Sequence, residues 1–99
     1  MKSKLLRQFR EQFRLLPKEI RRLAKENYSL WSENPYHPSL RFKSVHPKSA
    51  NVWSVRIGSD YRALALVEDD TAKWFWIGTH AEYMQILSNL KAVTKIQKK

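Results

Sequence analysis

The hydrophobic period of this chain changes once, and that change constrains the fold more than any other feature. Up to residue 32, apolar side chains recur every three or four residues, which indicates helices. From Leu40 to Ile57 they alternate every second residue, and residues 61–67 are apolar on both faces apart from Arg62; both patterns indicate strands. Asn34, Pro35 and Pro38 lie between the two regions and end the helical pattern. A helical first third followed by a sheet predicts an α+β domain.

Two helices are predicted before this change. Leu5, Phe9 and Phe13 recur four residues apart and predict a helix over residues 3–14. A second helix is expected from Pro17 to about Ser32, because proline is favoured in the first turn of a helix and disfavoured in its interior. The two helices should form an antiparallel hairpin.

Four strands are predicted after the change, over residues 40–45, 52–57, 61–67 and 74–77. Short turns at 58–60 and 68–70 join the last three strands and favour an antiparallel meander. Thr79 and Glu82 have the spacing of a capping box, which predicts that a short C-terminal helix begins there. The lysine-rich residues 91–99 are expected to form a flexible basic tail.

The predicted fold is therefore an N-terminal helix hairpin packed on one face of a four-stranded antiparallel sheet, followed by a short C-terminal helix. Because alternate residues of a strand share a face, the other face should expose Arg41, Lys43, Ser54 and Arg56.

Length and charge restrict the organisation and the partners. The chain has 99 residues, which is one domain over 1–99, and a formal net charge of +10. Basic residues dominate 1–22, a central patch over 41–62 that includes Lys48, and 91–99. This distribution favours nucleic acid, an acidic protein or an anionic surface as partner, although it also fits a well-solvated surface.

Several classes of protein and site are excluded. The chain has no cysteine, which excludes disulfides and thiolate metal sites, and it has no His-x-x-x-His pair, so no metal or cofactor is expected. No apolar run is long enough to span a bilayer, and the charged N-terminus lacks a secretory signal. We therefore expect a cytoplasmic protein without a membrane partner.

Four segments of the sequence have the residue types and spacing of one known family. They are Phe13-x-x-Leu16-Pro17-x-x-Ile20, Tyr28-x-Leu30-Trp31-x-x-Asn34-Pro35 with His37-Pro38-Ser39-Leu40, Trp53-Ser54-Val55-Arg56-Ile57-Gly58-x-x-Tyr61-Arg62-Ala63-Leu64, and Ile77-Gly78-Thr79-His80-x-Glu82-Tyr83. On these segments the chain resembles the RelE/ParE superfamily of bacterial toxins from type II toxin–antitoxin pairs. The superfamily includes ribosome-dependent mRNA endonucleases (RelE-like, YoeB-like, YafQ-like and HigB-like) and ParE-like gyrase poisons. The order of helices and strands predicted above is similar to that of its fold.

The resemblance implies a set of catalytic residues. Arg56 and Arg62 match two of the basic residues that surround the scissile phosphate in RelE-like nucleases, whereas Ser54 stands where RelE carries a lysine. His80 matches the position of the catalytic histidine of YafQ-like toxins, and Tyr83 is the candidate for the nearby aromatic residue, although its spacing differs from RelE's.

These residue types fit metal-free RNA cleavage. The reaction needs a base for the 2′-hydroxyl, positive charge for the phosphorane and an acid for the 5′-oxygen. Two arginines supply planar phosphate-binding forks, a histidine exchanges protons near neutral pH, and Tyr83 follows His80 on the same helix face. Arg41, Lys43 and Lys48 are predicted to bind RNA.

Each candidate also has a structural interpretation. Arg56 and Arg62 would pair with Glu68 or Asp69 if they were only structural, Tyr83 would be a core residue, and His80 would only begin a helix. His37 and His46 are interpreted as loop residues.

The functional expectation is a toxin that cleaves mRNA on the ribosome and inhibits translation. Its partners would be the ribosome with mRNA and a cognate antitoxin, which would bind across the basic face or the helix hairpin in a hetero-oligomer. The alternatives are a non-enzymatic ParE-like inhibitor of DNA gyrase and a nucleic-acid-binding member that has lost cleavage.

Overall fold

The computed structural model describes residues 1–45 and 51–97, with side chains up to residue 89. The elements are β1 (Lys2–Leu5), α1 (Arg7–Arg14), α2 (Lys18–Glu33), a 3₁₀ turn (Pro38–Leu40), β2 (Lys43–Ser44), β3 (Val52–Ile57), β4 (Tyr61–Glu68), β5 (Thr71–Thr79) and α3 (His80–Gln97). They form a five-stranded sheet in the order β1-β5-β4-β3-β2. The predicted α+β class is confirmed, but the sheet has five strands rather than four, and it is mixed because β1 is parallel to β5.

The additional strand β1 corrects the predicted first helix. Residues 2–5 are extended, and α1 begins only at Arg7. Ser3 anchors the strand, since its Oγ accepts hydrogen bonds from the Tyr28 hydroxyl at 2.8 Å and from Trp74 Nε1 at 3.1 Å. Leu5 packs against the core from the end of this strand, so its spacing to Phe9 suggested a helix that starts too early.

The predicted strand over 40–45 is shorter than expected. Its first residue, Leu40, belongs to a 3₁₀ turn, and Arg41 has a left-handed backbone, so pairing with β3 is limited to Lys43 and Ser44. The last two predicted strands are longer than expected: β4 extends to Glu68 and β5 runs from Thr71 to Thr79. Asp69 and Asp70 both have positive φ in the turn between them, as a tight hairpin turn requires.

Helices α1 and α2, the predicted helix hairpin, follow β1 rather than beginning the fold, and they pack on one face of the sheet with α1 on β5 and α2 on β3. The buried core lies between the two helices and the sheet, and it is built around Trp31, Trp74, Val55 and Ile77. Trp31 and Trp74 meet edge to face at 5.3 Å, a favourable aromatic geometry.

The C-terminal helix α3 packs on β4 and β5 and is longer than the short helix expected. The predicted flexible basic tail covers residues 91–99. Residues 91–97 belong to α3, but their side chains and residues 98–99 lie outside the described part of the chain, so the tail stays a prediction.

Candidate functional site

Three arginines lie close together on one face of the sheet. Arg56 of β3 lies directly opposite Arg62 of β4, and Arg62 lies opposite Gly78 of β5. Arg41 lies outside the strands, two residues before the Lys43–Ser54 pair of β2 and β3, and its positive charge acts on Arg62. We call Arg41, Arg56 and Arg62 the arginine row. It lies on the sheet face opposite the helix hairpin.

The guanidinium groups of Arg56 and Arg62 donate to backbone carbonyl oxygens. Arg56 Nε donates to the Gly58 carbonyl at 2.9 Å, and Arg62 Nη1 donates to the Tyr61 carbonyl at 2.7 Å. Within the described side chains, the salt bridges are Arg7–Glu11, Arg22–Glu19 and Arg22–Glu26, all in α1 and α2. The alternative prediction of structural ion pairs with Glu68 or Asp69 is therefore wrong for this part of the chain.

The pKa of Arg62 is lowered by its surroundings in the arginine row. Burial lowers the pKa of its guanidinium, and the positive charges of Arg56 and Arg41 lower it further. Tyr83 and Asp60 act in the opposite direction. Like charges directly opposite each other destabilise a sheet, so an anion bound between these arginines would relieve the repulsion.

A capping box fixes the start of α3 beside the row, as the sequence predicted. The Glu82 amide donates to Thr79 Oγ1 at 3.1 Å, and Glu82 Oε1 accepts from the Thr79 amide and hydroxyl, both at 2.9 Å. The bonds from the Thr79 backbone and side chain hold the pKa of the Glu82 carboxyl below its ordinary value.

The capping box places His80 and Tyr83 next to each other. His80 is exposed at the first position of α3, and its ring centroid lies 5.9 Å from that of Tyr83. Tyr83 is only 8% exposed, as its core interpretation requires, and its hydroxyl contacts Ser54 Oγ at 3.4 Å. The expectation that Ser54 is exposed is wrong, because Tyr83 covers it and leaves it 3% exposed.

The predicted RNA-binding residues fall into two groups. Arg41 and Lys43 are exposed at the β2 end of the same face. Lys48 lies outside the described residues, so RNA binding by this residue stays a prediction. His46, which was predicted to be a loop residue, also lies outside them.

Three residues that support the site were missed by sequence reasoning. Asn27 of α2 donates to the Arg56 carbonyl at 3.2 Å, and the Asp60 carbonyl accepts from the His80 amide. Gly78 leaves room for the ring of Trp76 and the carboxylate of Glu82, which a Cβ at residue 78 would approach at 2.6 and 2.9 Å. The glycine next to the capping box was a visible signal for the last of these, but the other two depend on tertiary contacts.

A second feature lies on the opposite face of the sheet. A groove of about 610 Å³ opens between α1, α2 and the sheet, and we call it the interhelical groove. Core side chains, including Phe9, Phe13, Trp31 and Trp74, line its interior. Its basic lining residues are Arg10, Arg14 and Lys25, all of them exposed.

Two kinds of feature are absent from the described residues. Among them, no group of three or more histidine, aspartate or glutamate side chains is arranged to hold a metal ion. No helix in the same part of the chain is long and apolar enough to cross a membrane.

Comparison with protein families now adds to this geometry. The family model described as "ParE-like toxin domain" matches residues 18–85, which include β3, β4, β5 and the capping box. The chain belongs to the ParE-like toxin domain family. Its membership of the RelE/ParE superfamily, predicted from the motifs, is thereby confirmed. No curated protein sequence matches this toxin domain.

Solved structures share the fold of the toxin domain. The toxin–antitoxin complex RelBE2 from Mycobacterium tuberculosis contains a chain with a TM-score of 0.64 and 22% identity, covering 81% of this chain and 91% of that one. A chain of the RelB–RelE antitoxin–toxin complex from Methanococcus jannaschii has a TM-score of 0.67 and 17% identity, covering 84% and 96%. YafQ from Escherichia coli has a TM-score of 0.65 and 15% identity, covering 82% and 94%.

The site of the toxin domain is suited to binding a phosphate-like anion. Arginine forks bind phosphate oxygens in a bidentate manner. The imidazole of His80 beside them is a group that exchanges protons in many active sites.

Proposed function

We propose that this toxin domain is a metal-independent endoribonuclease that cleaves mRNA on the ribosome and so inhibits translation in the cytoplasm. One observation carries the proposal: the arginine row has no carboxylate partner among the described residues, and an exposed histidine begins a helix beside it. Guanidinium groups left without acidic partners are available to a phosphodiester.

The proposed reaction is attack of a ribose 2′-oxygen on the adjacent phosphorus. The 2′-oxygen–phosphorus bond forms and the phosphorus–5′-oxygen bond breaks, which leaves a 2′,3′-cyclic phosphate and a 5′-hydroxyl. Arg56 and Arg62 stabilise the extra negative charge of the phosphorane, because they are already fixed around the place where it develops. His80 transfers one proton, either from the 2′-hydroxyl or to the leaving 5′-oxygen, and water transfers the other, so the proton lost by the 2′-hydroxyl is balanced by the one that the 5′-oxygen gains.

Tyr83 has a different role in this proposal. Its ring is buried and its hydroxyl contacts Ser54, so it holds α3 against the sheet and keeps His80 beside the row. The exposed cations of α1 and α2 other than Arg7 and Arg22, which form salt bridges, contact ribosomal RNA, an interaction that should weaken as salt increases.

Cleavage on programmed ribosomes tests the proposal. We expect wild-type protein to cut ribosome-bound mRNA and Arg62→Ala to cut it about 10²–10³-fold more slowly, the usual effect of losing one transition-state donor. Arg22→Ala removes the same charge from an exposed salt bridge on α2 and is the matched control. Equal rates for both variants would contradict the assignment.

The ParE-like family match keeps gyrase inhibition as a second candidate. Expression in growing cells distinguishes the two targets. Growth should stop, and methionine incorporation should fall before thymidine incorporation. The reverse order would indicate gyrase, and unaffected growth at high soluble expression would contradict both candidates.

We also infer that a cognate antitoxin occupies the interhelical groove. The groove combines an apolar interior with exposed cations, so it fits an amphipathic segment that carries acidic residues beside its apolar face. Both solved RelB–RelE complexes named above contain an antitoxin with a toxin of this fold.

A charge-reversal pair tests the groove. The product of the small reading frame next to the toxin gene is the probe. Arg10→Glu together with Arg14→Glu should weaken its binding at least tenfold. Arg7→Glu, on the same helix, should change it little, because Arg7 already pairs with Glu11. Unchanged binding by the double variant would exclude this docking surface.

A further inference from the structure

Arg41 of the arginine row has an unusual backbone. Its φ is 47° and its ψ is 45°, in the left-handed region that residues with a Cβ seldom adopt. Among the described residues, the other non-glycine positions with positive φ are Asp69 and Asp70, which form a hairpin turn. Arg41 therefore requires its own explanation.

The residues on either side of Arg41 are fixed in the core. Leu40 is fully buried and Phe42 is 7% exposed, with its ring 5.7 Å from that of Trp31. The left-handed residue lets the chain leave the 3₁₀ turn and enter β2 in the register that brings Arg41 towards Arg56. The positive charge of Arg41 lowers the pKa of Arg62, so the two guanidinium groups are close enough to interact electrostatically.

The 3₁₀ turn that precedes Arg41 is held by a histidine that the sequence suggested was only a loop residue. His37 Nδ1 accepts a hydrogen bond from the Ser39 amide at 3.2 Å and lies 2.9 Å from Ser39 Oγ. The His37 carbonyl accepts from the Leu40 amide at 3.0 Å, and the Arg41 amide donates to Pro38 at 3.3 Å. The imidazole thus serves as an N-cap, with proline at the first position of the turn.

We propose that His37 is a positioning residue of the anion site: by capping the 3₁₀ turn, it holds Arg41 in the left-handed conformation that aligns it with Arg56 and Arg62. This inference rests on the proposed binding of RNA phosphate by the arginine row. It gives a role to a side chain that takes no part in the chemistry proposed above.

The test measures binding of a fluorescent single-stranded 2′-O-methyl RNA, which lacks the attacking hydroxyl, by anisotropy at several salt concentrations. All variants are measured at the same pH. Arg41→Gly keeps the left-handed backbone and removes the guanidinium, so binding should weaken roughly tenfold. The slope of log K against log salt should also fall by about 0.7, the value for one phosphate contact on a single strand.

His37→Ala should reproduce both changes, since Arg41 would no longer be held in place. His37→Asn supplies another N-cap acceptor and should restore the affinity and the salt slope. In the Arg41→Gly background, His37→Ala should have no further effect, because two residues that act through one contact are not additive.

The outcomes separate this inference from the proposed function. If the wild-type protein shows no salt-dependent binding, the proposed phosphate site fails and His37 has nothing to position. If the wild type binds and His37→Ala binds equally well, or if its effect adds fully to that of Arg41→Gly, the positioning role is wrong while the site stands.

Discussion

Replacing Arg62 with alanine should remove anion binding and leave the fold intact. Arg62 lies half-buried in β4, directly opposite Arg56. A charged residue in such a place is usually paired, since burial without a partner is costly. In this chain the described partners are two backbone carbonyl oxygens, Tyr61 at 2.7 Å and Ser59 at 3.4 Å.

The magnitude follows from two opposing terms. The substitution removes repulsion between two like charges directly opposite each other, which is worth about 0.2–1 kcal/mol. It also removes hydrogen bonds from a charged donor to carbonyl oxygens, which contribute about 1.5–3 kcal/mol. The free energy of unfolding should therefore fall by less than about 3 kcal/mol.

Loss of anion binding in the Arg62→Ala variant can be measured as a loss of the rise in Tm that sulfate causes. A ligand that binds only the folded state at ten times its Kd adds about 1.4 kcal/mol of stability. For a domain of this size that raises the Tm by roughly 6–11 °C. Sodium sulfate should produce this rise in the wild type relative to chloride at equal ionic strength, and Arg62→Ala should lose most of it. Arg22→Ala, which breaks surface salt bridges on α2, should keep it.

Two results would refute the reasoning. A loss of more than about 3 kcal/mol in chloride would mean that Arg62 holds the fold together, as core disruptions of that size do. An undiminished response to sulfate in Arg62→Ala would mean that the anion binds elsewhere.

The remaining predictions concern α3 and the core. His80→Ala should slow single-turnover cleavage on programmed ribosomes by about 10²–10⁴-fold with ribosome binding nearly unchanged, and a wild-type rate would exclude proton transfer by this residue. Thr79→Ala should lower the free energy of unfolding by about 1 kcal/mol in denaturant titrations through loss of the cap. Because folding lowers the pKa of Glu82, its contribution is present above about pH 4.5 and is lost as the pH falls through the lower value of the folded state. Glu82→Gln should accordingly reduce the loss of Tm between pH 5 and 3. Leu40→Ala removes a fully buried side chain and should cost about 2–5 kcal/mol.

The sequence predicted the parts of the fold that depend on local pattern. Pro17 separates the two helices, the alternation from Val52 to Ile57 forms a strand, and the capping box of Thr79 and Glu82 begins α3. In each case the local preference agrees with the tertiary environment, and such agreement is what makes a pattern informative.

The errors arose where a long-range contact outweighed a local pattern. Leu5 has helical spacing to Phe9, but residues 2–5 gain backbone hydrogen bonds by pairing with β5, whose edge is available because β5 is long. Ser54 alternates with apolar neighbours as an exposed residue would, but Tyr83 reaches it from 29 residues away. No spacing in the sequence reports either contact.

The sequence predicted which residues form the candidate site more completely than it predicted their arrangement in space. Arg56 and Arg62 were assigned from motifs, and the register shows them directly opposite each other. The contribution of Arg41 depends on a backbone conformation that its residue type disfavours, so propensity argued against it. A signal for the turn was present in His37-Pro38, a capping residue before a proline, although it was interpreted as a loop.

Strand β3 shows how one small sheet can present both proposed functional surfaces. Its side chains alternate between the faces, so Val55 and Ile57 line the interhelical groove while Ser54 and Arg56 lie on the face of the arginine row. A partner in the groove and a phosphate on the row are therefore separated by a single layer of backbone. Asn27 connects the groove to that layer, because it lines the groove and also donates to the backbone carbonyl of Arg56. An antitoxin segment seated in the groove leaves the row itself uncovered, so inhibition from that position must act by blocking access to the ribosome or through the Asn27–Arg56 contact.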